Sequence, residues 1–249
     1  MLNDIAIDGI YIVHAIKGYE LHERRIIKLF AVLGLEHYEF ITDGDLSCLT
    51  QDLLNKYFCP NIKELLCPGI ISCTLNHILS YERIAASDDR YALVFENDPF
   101  FLGNFKKRLK RVIDEAETLE PGFIISLENT TLRFPSFMKT KKGKYLYKSS
   151  YGRAAGAYVI DRAGAQRILK YLQSNKCCQV IDWLHNTLVK NKVIDMYWAH
   201  PPLTEQGSHN GMMQSTISSK KRGIMRRIQW IAQKFHRTYI RQIFVNDAY

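Results

Sequence analysis

The sequence predicts an α/β domain built on a parallel-rich central sheet, with a basic helical extension at its C-terminal end. Three observations predict it. The chain opens strand–helix–strand, the pattern that builds parallel sheets. Its apolar strands run straight into acids. Its positive charge is gathered in one amphipathic segment near the end. A length of 249 residues suits one large domain or two small ones, and 47% hydrophobic with 24% charged residues is ordinary for a globular chain. The expected division is a body at 1–215 and an extension at 216–249.

"GIYIVHA" (9–15) reads as a short buried strand. "ELHERRIIKLFAVLG" (20–34) follows, with Leu21, Ile26, Leu29, Phe30 and Leu33 in a helical stripe and Gly34 as its stop. "HYEFIT" (37–42) is a second strand. Residues 45–70 mix short helices with loops around Pro60 and Pro68. "ISCTLNHILSYERIAAS" (71–87) is a helix with Leu75, Ile78, Leu79 and Ile84 near one face, and a strand at 91–95 follows at once. "NFKKRLKRVIDEAETLE" (104–120) is an amphipathic helix, basic first and acidic second, against the usual dipole preference. "GFIISLE" (122–128) is a strand that ends in an acid. Within "YGRAAGAYVIDRAGAQRILKYLQ" (151–173), "AYVI" is a strand leading into a helix that Asp161 is placed to cap. "VIDWLHNTLVKN" (180–191) is a short helix, "VIDMYWA" (193–199) a last strand, and "HPPLTEQGSHNGMMQS" (200–215) a polar loop.

The opening "MLNDIAIDGIYIVHA" has no basic start and no long apolar core, which predicts no secretory leader. No run of about 18 apolar residues predicts a membrane-spanning helix. The cysteines at 48, 59, 67, 73, 177 and 178 form no CxxC pair. They are expected to be reduced thiols of a cytosolic protein, and their spacings predict no zinc site.

Between Lys220 and Arg241 there are eight Lys or Arg and no acid, so this stretch carries nearly all of the net +9 and the body is near neutral. Ile224, Ile228, Ile231, Phe235 and Tyr239 recur there at helical spacing. That is a basic amphipathic helix suited to an anionic membrane surface. A helix packed on the body, or a dimer contact, would leave the same pattern. No nucleic-acid partner is expected, because neither a recognition motif nor a basic body is present.

"YALVFENDPFF" (91–101) carries the chemistry. Alternate residues of an extended chain point the same way, so Glu96 and Asp98 are expected to face one site and Asn97 the other side. Two carboxylates facing one site repel unless a cation lies between them, and hard oxygen ligands suit Mg²⁺ or Mn²⁺. The plainer reading is a turn in which Asp98 accepts from backbone amides.

The same stretch resembles the "LIxEDD" strand of bacterial glycosyltransferase family 25, which includes lipooligosaccharide galactosyltransferases. Other segments fall in that family's order. "YIVHAIKGYELHERR" resembles its opening strand and Arg-containing turn, "ITDGD" its "A-x-DG" element, and "SCTLNHILSYERI" its "GCxLSHxxxxxxI" helix. "RAAGAYVIDRAGAQRIL" resembles "GTxAYxISxxGAxxLL", "VIDWLH" resembles "PVDxxM", and "AHPPLTEQGS" resembles the closing "xxPxLxxQ". The likeness runs from residue 9 to about 208. Asn97 replaces the family's middle acid, His14 stands where the family has Asn, and Asn76 and Ser72 replace its Ser and Gly.

The resemblance implies a GT-A-type Rossmann-like fold and an inverting transfer of a hexose, usually galactose from UDP-galactose. The expected acceptor is a lipid-linked oligosaccharide of a lipooligosaccharide, lipopolysaccharide or capsular glycan. Another hexose such as glucose, or a catalytically degenerate membrane adaptor, is the alternative. Work at the cytoplasmic face of the inner membrane is expected. Mn²⁺ or Mg²⁺ would be held by Asp98 and Glu96, with His200 as a late ligand. Glu96, Arg24, Asp43, His14 and Gly156 would contact the UDP-sugar donor. Asp182 is the expected base and Glu128 its rival, with His77 a third catalytic candidate. The plainer readings are an N-cap for Asp182, a structural hydrogen bond for His77 and a solvated helix face for Arg24.

Overall fold

Strand β1 (Gly9–Val13) sends its side chains alternately to two cores, as a strand buried on both faces must. Tyr11 and Val13 join one core, Ile10 and Ile12 the other. The computed structural model describes residues 5–213 and 224–240. In it β1 is flanked by β2 (Tyr38–Ile41) and β3 (Tyr91–Glu96). Further along the chain come β4 (Pro99–Phe101), β5 (Phe123–Ser126), β6 (Leu146–Ser149), β7 (Ala157–Asp161), β8 (Asp195–Ala199) and β9 (Thr204–Gln206). Among the described residues seven strands form one sheet in the order β2–β1–β3–β7–β5–β8–β6, while β4 and β9 pair apart from it.

Helices cover both faces. Helices α1 (Glu20–Leu33) and α5 (Phe105–Ala116) bury Ile26, Phe30, Phe105 and Leu109 on the core with Ile10 and Ile12. The other face carries α2 (Gln51–Tyr57), α4 (Pro68–Ala86), α6 (Arg162–Ser174) and α7 (Ile181–Lys190). A short α3 (Ile62–Leu65) precedes α4, and α8 (Gly207–Asn210) follows β9. Asp161 caps α6, accepting from the Gly164 amide at 3.0 Å, and it also binds the Gly122 and Phe123 amides at the start of β5. Gly34 ends α1 in the left-handed conformation (φ 55°). Among the described residues no helix is long and apolar enough to cross a membrane.

The α/β class holds, but the sheet is mixed rather than parallel-rich. β1–β2, β1–β3 and β5–β8 are parallel, whereas β3–β7, β5–β7 and β6–β8 are antiparallel. The reason lies in residues 127–156. They form no helix that crosses a face and returns to the far end of the sheet, which a parallel connection requires. The chain re-enters where β5 left off, and β7 runs back between β3 and β5. Strand β9, inside the expected polar loop, pairs with β4 and brings Gln206 opposite Pro99.

The expected division at 215/216 lies outside the described residues. Beyond it, α9 (Ile224–Phe235) continues into a wider π turn (His236–Ile240). Trp230 is only 2% exposed and packs with Leu132 and Phe134. Lys234 Nζ lies 2.5 Å and Arg227 Nη1 3.8 Å from the buried Glu205 carboxylate, and Arg237 donates to the Thr131 carbonyl at 3.0 Å. The helix thus meets the body through an indole and cations. Ile228, Ile231, Phe235 and Tyr239 point to solvent.

Trp230→Ala removes the apolar anchor of α9. Amide exchange measured by mass spectrometry should rise across 224–240 and stay unchanged in β1 and β3. Unchanged exchange in α9 would show that the cations hold it alone.

Candidate active site

The carboxyl ends of β1 and β3 open onto a cavity of about 310 Å³. His14 follows β1, Glu96 ends β3, and Asn97 and Asp98 come next; all four line it. A bend at Asn97 interrupts the extended chain, so strict alternation stops there. The expectation that Asn97 faces away is therefore corrected: its amide lies 3.3 Å from His14 Nδ1.

Asp98 is held from two sides. Its Oδ2 accepts from the Ser208 amide at 2.8 Å, and its backbone carbonyl accepts from the Gly207 amide at 2.9 Å. Its Oδ1 is buried without a hydrogen-bond partner among the described residues. Burial, and then the charge of Glu96, push the Asp98 carboxyl above its ordinary range, against the Ser208 amide. An orphaned carboxylate oxygen facing a cavity beside a second carboxylate fits a hard divalent cation there. Arg25 approaches from α1: its Nη2 donates to the Pro99 carbonyl at 2.7 Å and its guanidinium lies 4.1 Å from the Phe100 ring.

Glu96 is half-buried and shared. Gln206 Nε2 donates to Oε2 at 2.8 Å, while Oε1 faces His77 Nε2 at 3.5 Å and Cys73 Sγ at 3.9 Å. Gly156 makes this possible, because a Cβ there would overlap the Gln206 side-chain amide. At this glycine, expected to contact the donor, the backbone admits the Gln206 side chain.

Asp182 stands near Glu96 on α7. Burial, then the Glu96 charge, push its carboxyl up to about 6, opposed by His77 and the Ala155 amide. Val180 occupies the cap position of α7, so capping does not explain Asp182. The neighbouring Trp183 is 67% exposed, a surface ring rather than a core one. Glu128 has no exposure. Its Oε1 accepts from the Gly156 amide at 2.7 Å, and its Oε2 accepts from the Thr130 hydroxyl. Burial holds its carboxyl well above the ordinary range, and, like Asp182, it does not line the cavity.

Three expected residues stand apart. Arg24 is exposed on the outer face of α1, and one residue further round the helix it is Arg25 that reaches the start of β4. Asp43 is exposed and pairs with Arg83 at 2.6 Å. His200 follows β8, three strands from β3, which at about 4.8 Å per strand is some 14 Å away. Its ring lies against Phe134 and Tyr147, and burial then Arg153 push it down to about 4.

Other residues came to the site without a sequence signal that separated them. Asp45 lines the cavity, its oxygens held by the Ile16 amide (2.9 Å) and by the amide and hydroxyl of Ser47 (3.0 and 2.7 Å). Burial alone would raise its carboxyl, but these bonds bring it below the ordinary value. Asn76 bridges the Gly44 amide (2.7 Å) and the His14 carbonyl (3.0 Å). The "DGD" stretch contains both Asp43 and Asp45, and only the turn geometry distinguishes them.

With this geometry in view, the comparison with known families is decisive. The model of glycosyltransferase family 25 (LPS biosynthesis protein) matches residues 9–184. The chain belongs to that family. A glycosyltransferase 25 family member of Anopheles gambiae is 25% identical over 187 residues, covering 72% of this chain and 31% of that protein. The inactive glycosyltransferase 25 family member 3 of Homo sapiens is 24% identical, covering 66% and 29%. The chain thus spans about a third of the length of these curated relatives. A structure of mouse xyloside xylosyltransferase 1 overlaps with a TM-score of 0.37 at 12% identity, covering 78% of this chain and 75% of that one; so low an overlap assigns no fold type.

The Asp182 carboxyl should titrate near pH 6 by carbon NMR, and Glu96→Gln should move it toward the ordinary range, because a neighbouring charge has gone. An unchanged midpoint in the variant would show that burial alone sets it.

Proposed function

We propose that this chain is an inverting glycosyltransferase moving a hexose from a nucleoside diphosphate sugar to a glycan hydroxyl. The observation that carries the proposal is the pair Glu96 and Asp98 at the end of β3, with one buried oxygen of Asp98 unpartnered and with Asp182 of α7 close enough to feel the Glu96 charge. The acceptor oxygen attacks the anomeric carbon opposite the diphosphate. The bond from that carbon to the diphosphate oxygen breaks and its electron pair leaves with the nucleotide. Asp182 takes the hydroxyl proton, a role its raised carboxyl suits near neutral pH. Mn²⁺ or Mg²⁺, held by Asp98 with the charge of Glu96 beside it, would neutralise the charge developing on the diphosphate. The Ala155 amide orients Asp182, Gln206 orients Glu96, and Glu128 holds the Gly156 turn. The family resemblance supports UDP-galactose as donor and a GT-A-type fold, with a glucosyl donor as the nearest alternative.

The mammalian relatives named inactive favour a second reading, a degenerate transferase body that acts as an adaptor. The outward apolar stripe of α9 supports membrane association in either case. Its orientation alters the mechanism expected from the sequence. Arg227, Lys234 and Arg237 are engaged by the body, so Ile228, Ile231, Phe235 and Tyr239 would make the contact. A lipid-linked acceptor at the cytoplasmic face of an inner membrane suits that placement.

Hydrolysis of a panel of UDP-sugars, with and without Mn²⁺, should single out one sugar. Its kcat/KM should fall as pH drops below about 6, because protonated Asp182 cannot accept a proton. Asp182→Asn should lower kcat by about 10²–10⁴ with donor binding retained. No turnover of any donor by the full chain would leave the adaptor reading. Replacing Ile228, Ile231 and Phe235 together by Asp should abolish sedimentation with anionic vesicles while leaving donor hydrolysis intact. Wild-type protein that ignores such vesicles would exclude the membrane contact.

A further inference from the structure

We propose that Cys73, His77 and Glu96 form a site for a thiophilic divalent cation of the zinc class on the wall of the cavity. Cys73 and His77 are four residues apart on α4 and therefore lie on one face of the helix, toward the end of β3. One ligand atom from each of the three residues lies within 4.8 Å of the others. The individual separations are 3.5 Å from His77 Nε2 to Glu96 Oε1 and 3.9 Å from Cys73 Sγ to the same oxygen. Tetrahedral zinc bonds of about 2.0–2.3 Å place neighbouring ligand atoms about 3.3–3.8 Å apart, so small side-chain shifts close the set.

A second observation points to a ligand. His77 is fully buried, and its Nε2 has no hydrogen-bond partner among the described residues. Its other nitrogen, Nδ1, lies 2.9 Å from the Tyr158 hydroxyl. Tyr158 is 3.0 Å from the Tyr81 hydroxyl, which is 2.6 Å from His185 Nε2. Burial pushes His185 down to about 3, so its neutral ring can accept from Tyr81. With His185 Nε2 accepting, Tyr81 can accept from Tyr158 and Tyr158 from His77 Nδ1–H. That direction leaves a lone pair on His77 Nε2, aimed at Glu96 and Cys73. It is the outer-shell arrangement that fixes the tautomer of a metal-bound histidine. Gln206 occupies the other oxygen of Glu96 and leaves Oε1 for the cation.

The donor set selects the metal. One sulfur, one imidazole nitrogen and one carboxylate oxygen suit zinc or cobalt, not magnesium. Three protein ligands leave a fourth position, and because Cys73 and Glu96 line the cavity that position faces it. Binding displaces the Cys73 thiol proton to solvent and forms a metal–thiolate bond. Cysteine spacing predicted no zinc site; the ligands here are a lone cysteine and two residues of other types, which a search for cysteine pairs passes over. The proposal does not rest on glycosyl transfer.

The test titrates the full chain with Co²⁺. One equivalent should produce tetrahedral visible bands and a near-ultraviolet thiolate-to-cobalt band, reversed by Zn²⁺ and not by Mg²⁺. Cys73→Ser should remove the thiolate band, whereas replacing the exposed Cys48, Cys67 and Cys178 together by Ser should keep it. Tyr158→Phe, which removes one hydroxyl, should weaken Co²⁺ binding by about 10–100-fold. In the unmutated chain, Zn²⁺ should also block alkylation of Cys73, and Mg²⁺ should not. A missing thiolate band, a band that survives Cys73→Ser, or alkylation of Cys73 indifferent to Zn²⁺ would overturn the proposal.

Discussion

Carboxylates crowd the carboxyl edge of the sheet, and each must be satisfied there or remain protonated. Much of the local architecture answers that demand. The Gly156 amide and the Thr130 hydroxyl hold Glu128; Gln206 holds Glu96; the Ser208 amide holds Asp98. The donors come from segments far apart in the chain, so satisfying the acids also ties those segments together. Strand β7 must begin beside Glu96 and Glu128 for Gly156 to serve both. It does so by donating its amide to the Glu128 side chain and accepting from the Glu96 amide at 2.9 Å.

The β9–α8 segment is the second tie. Gln206 and Ser208 reach Glu96 and Asp98, while the buried Glu205, just before them in the chain, accepts from Lys234 and approaches Arg227 of α9. The C-terminal helix therefore bears on the residues that orient Glu96 and Asp98. Its cations face inward because a buried carboxylate attracts them more strongly than solvent-exposed charges attract one another. Once they are engaged, the helical period carries the isoleucines outward.

Beneath the cavity, α4 does two kinds of work. Leu75, Ile78, Leu79 and Ile84 pack into the core. Cys73, Asn76 and His77 lie toward the cavity end, where Asn76 ties the turn after β2 to the end of β1. A helix buried nearly all round can carry both sets, because its polar residues find partners on the strands rather than water.

The amino-acid pattern alone was enough to place most strands and helices within a few residues, the Asp161 cap, and the acids at strand ends. These depend on periods of 2 and 3.6 and on near-neighbour hydrogen bonds, which a chain carries locally. It also carried the family, through motif order. The direction of β7 needed the fold, since the same apolar strand can pair either way and only the path of residues 127–156 decides. So did the position of Arg25, rather than Arg24, on the Pro99 carbonyl and of Asp45, rather than Asp43, on the cavity wall, where one or two residues of rotation set which way a side chain points. Leu132 and Phe134 accept Trp230 across about a hundred residues, and no period predicts that. Local sequence specifies which groups are costly to bury; only the tertiary packing decides which other groups arrive to satisfy them, because those partners are distant in the chain and meet only when the sheet has formed.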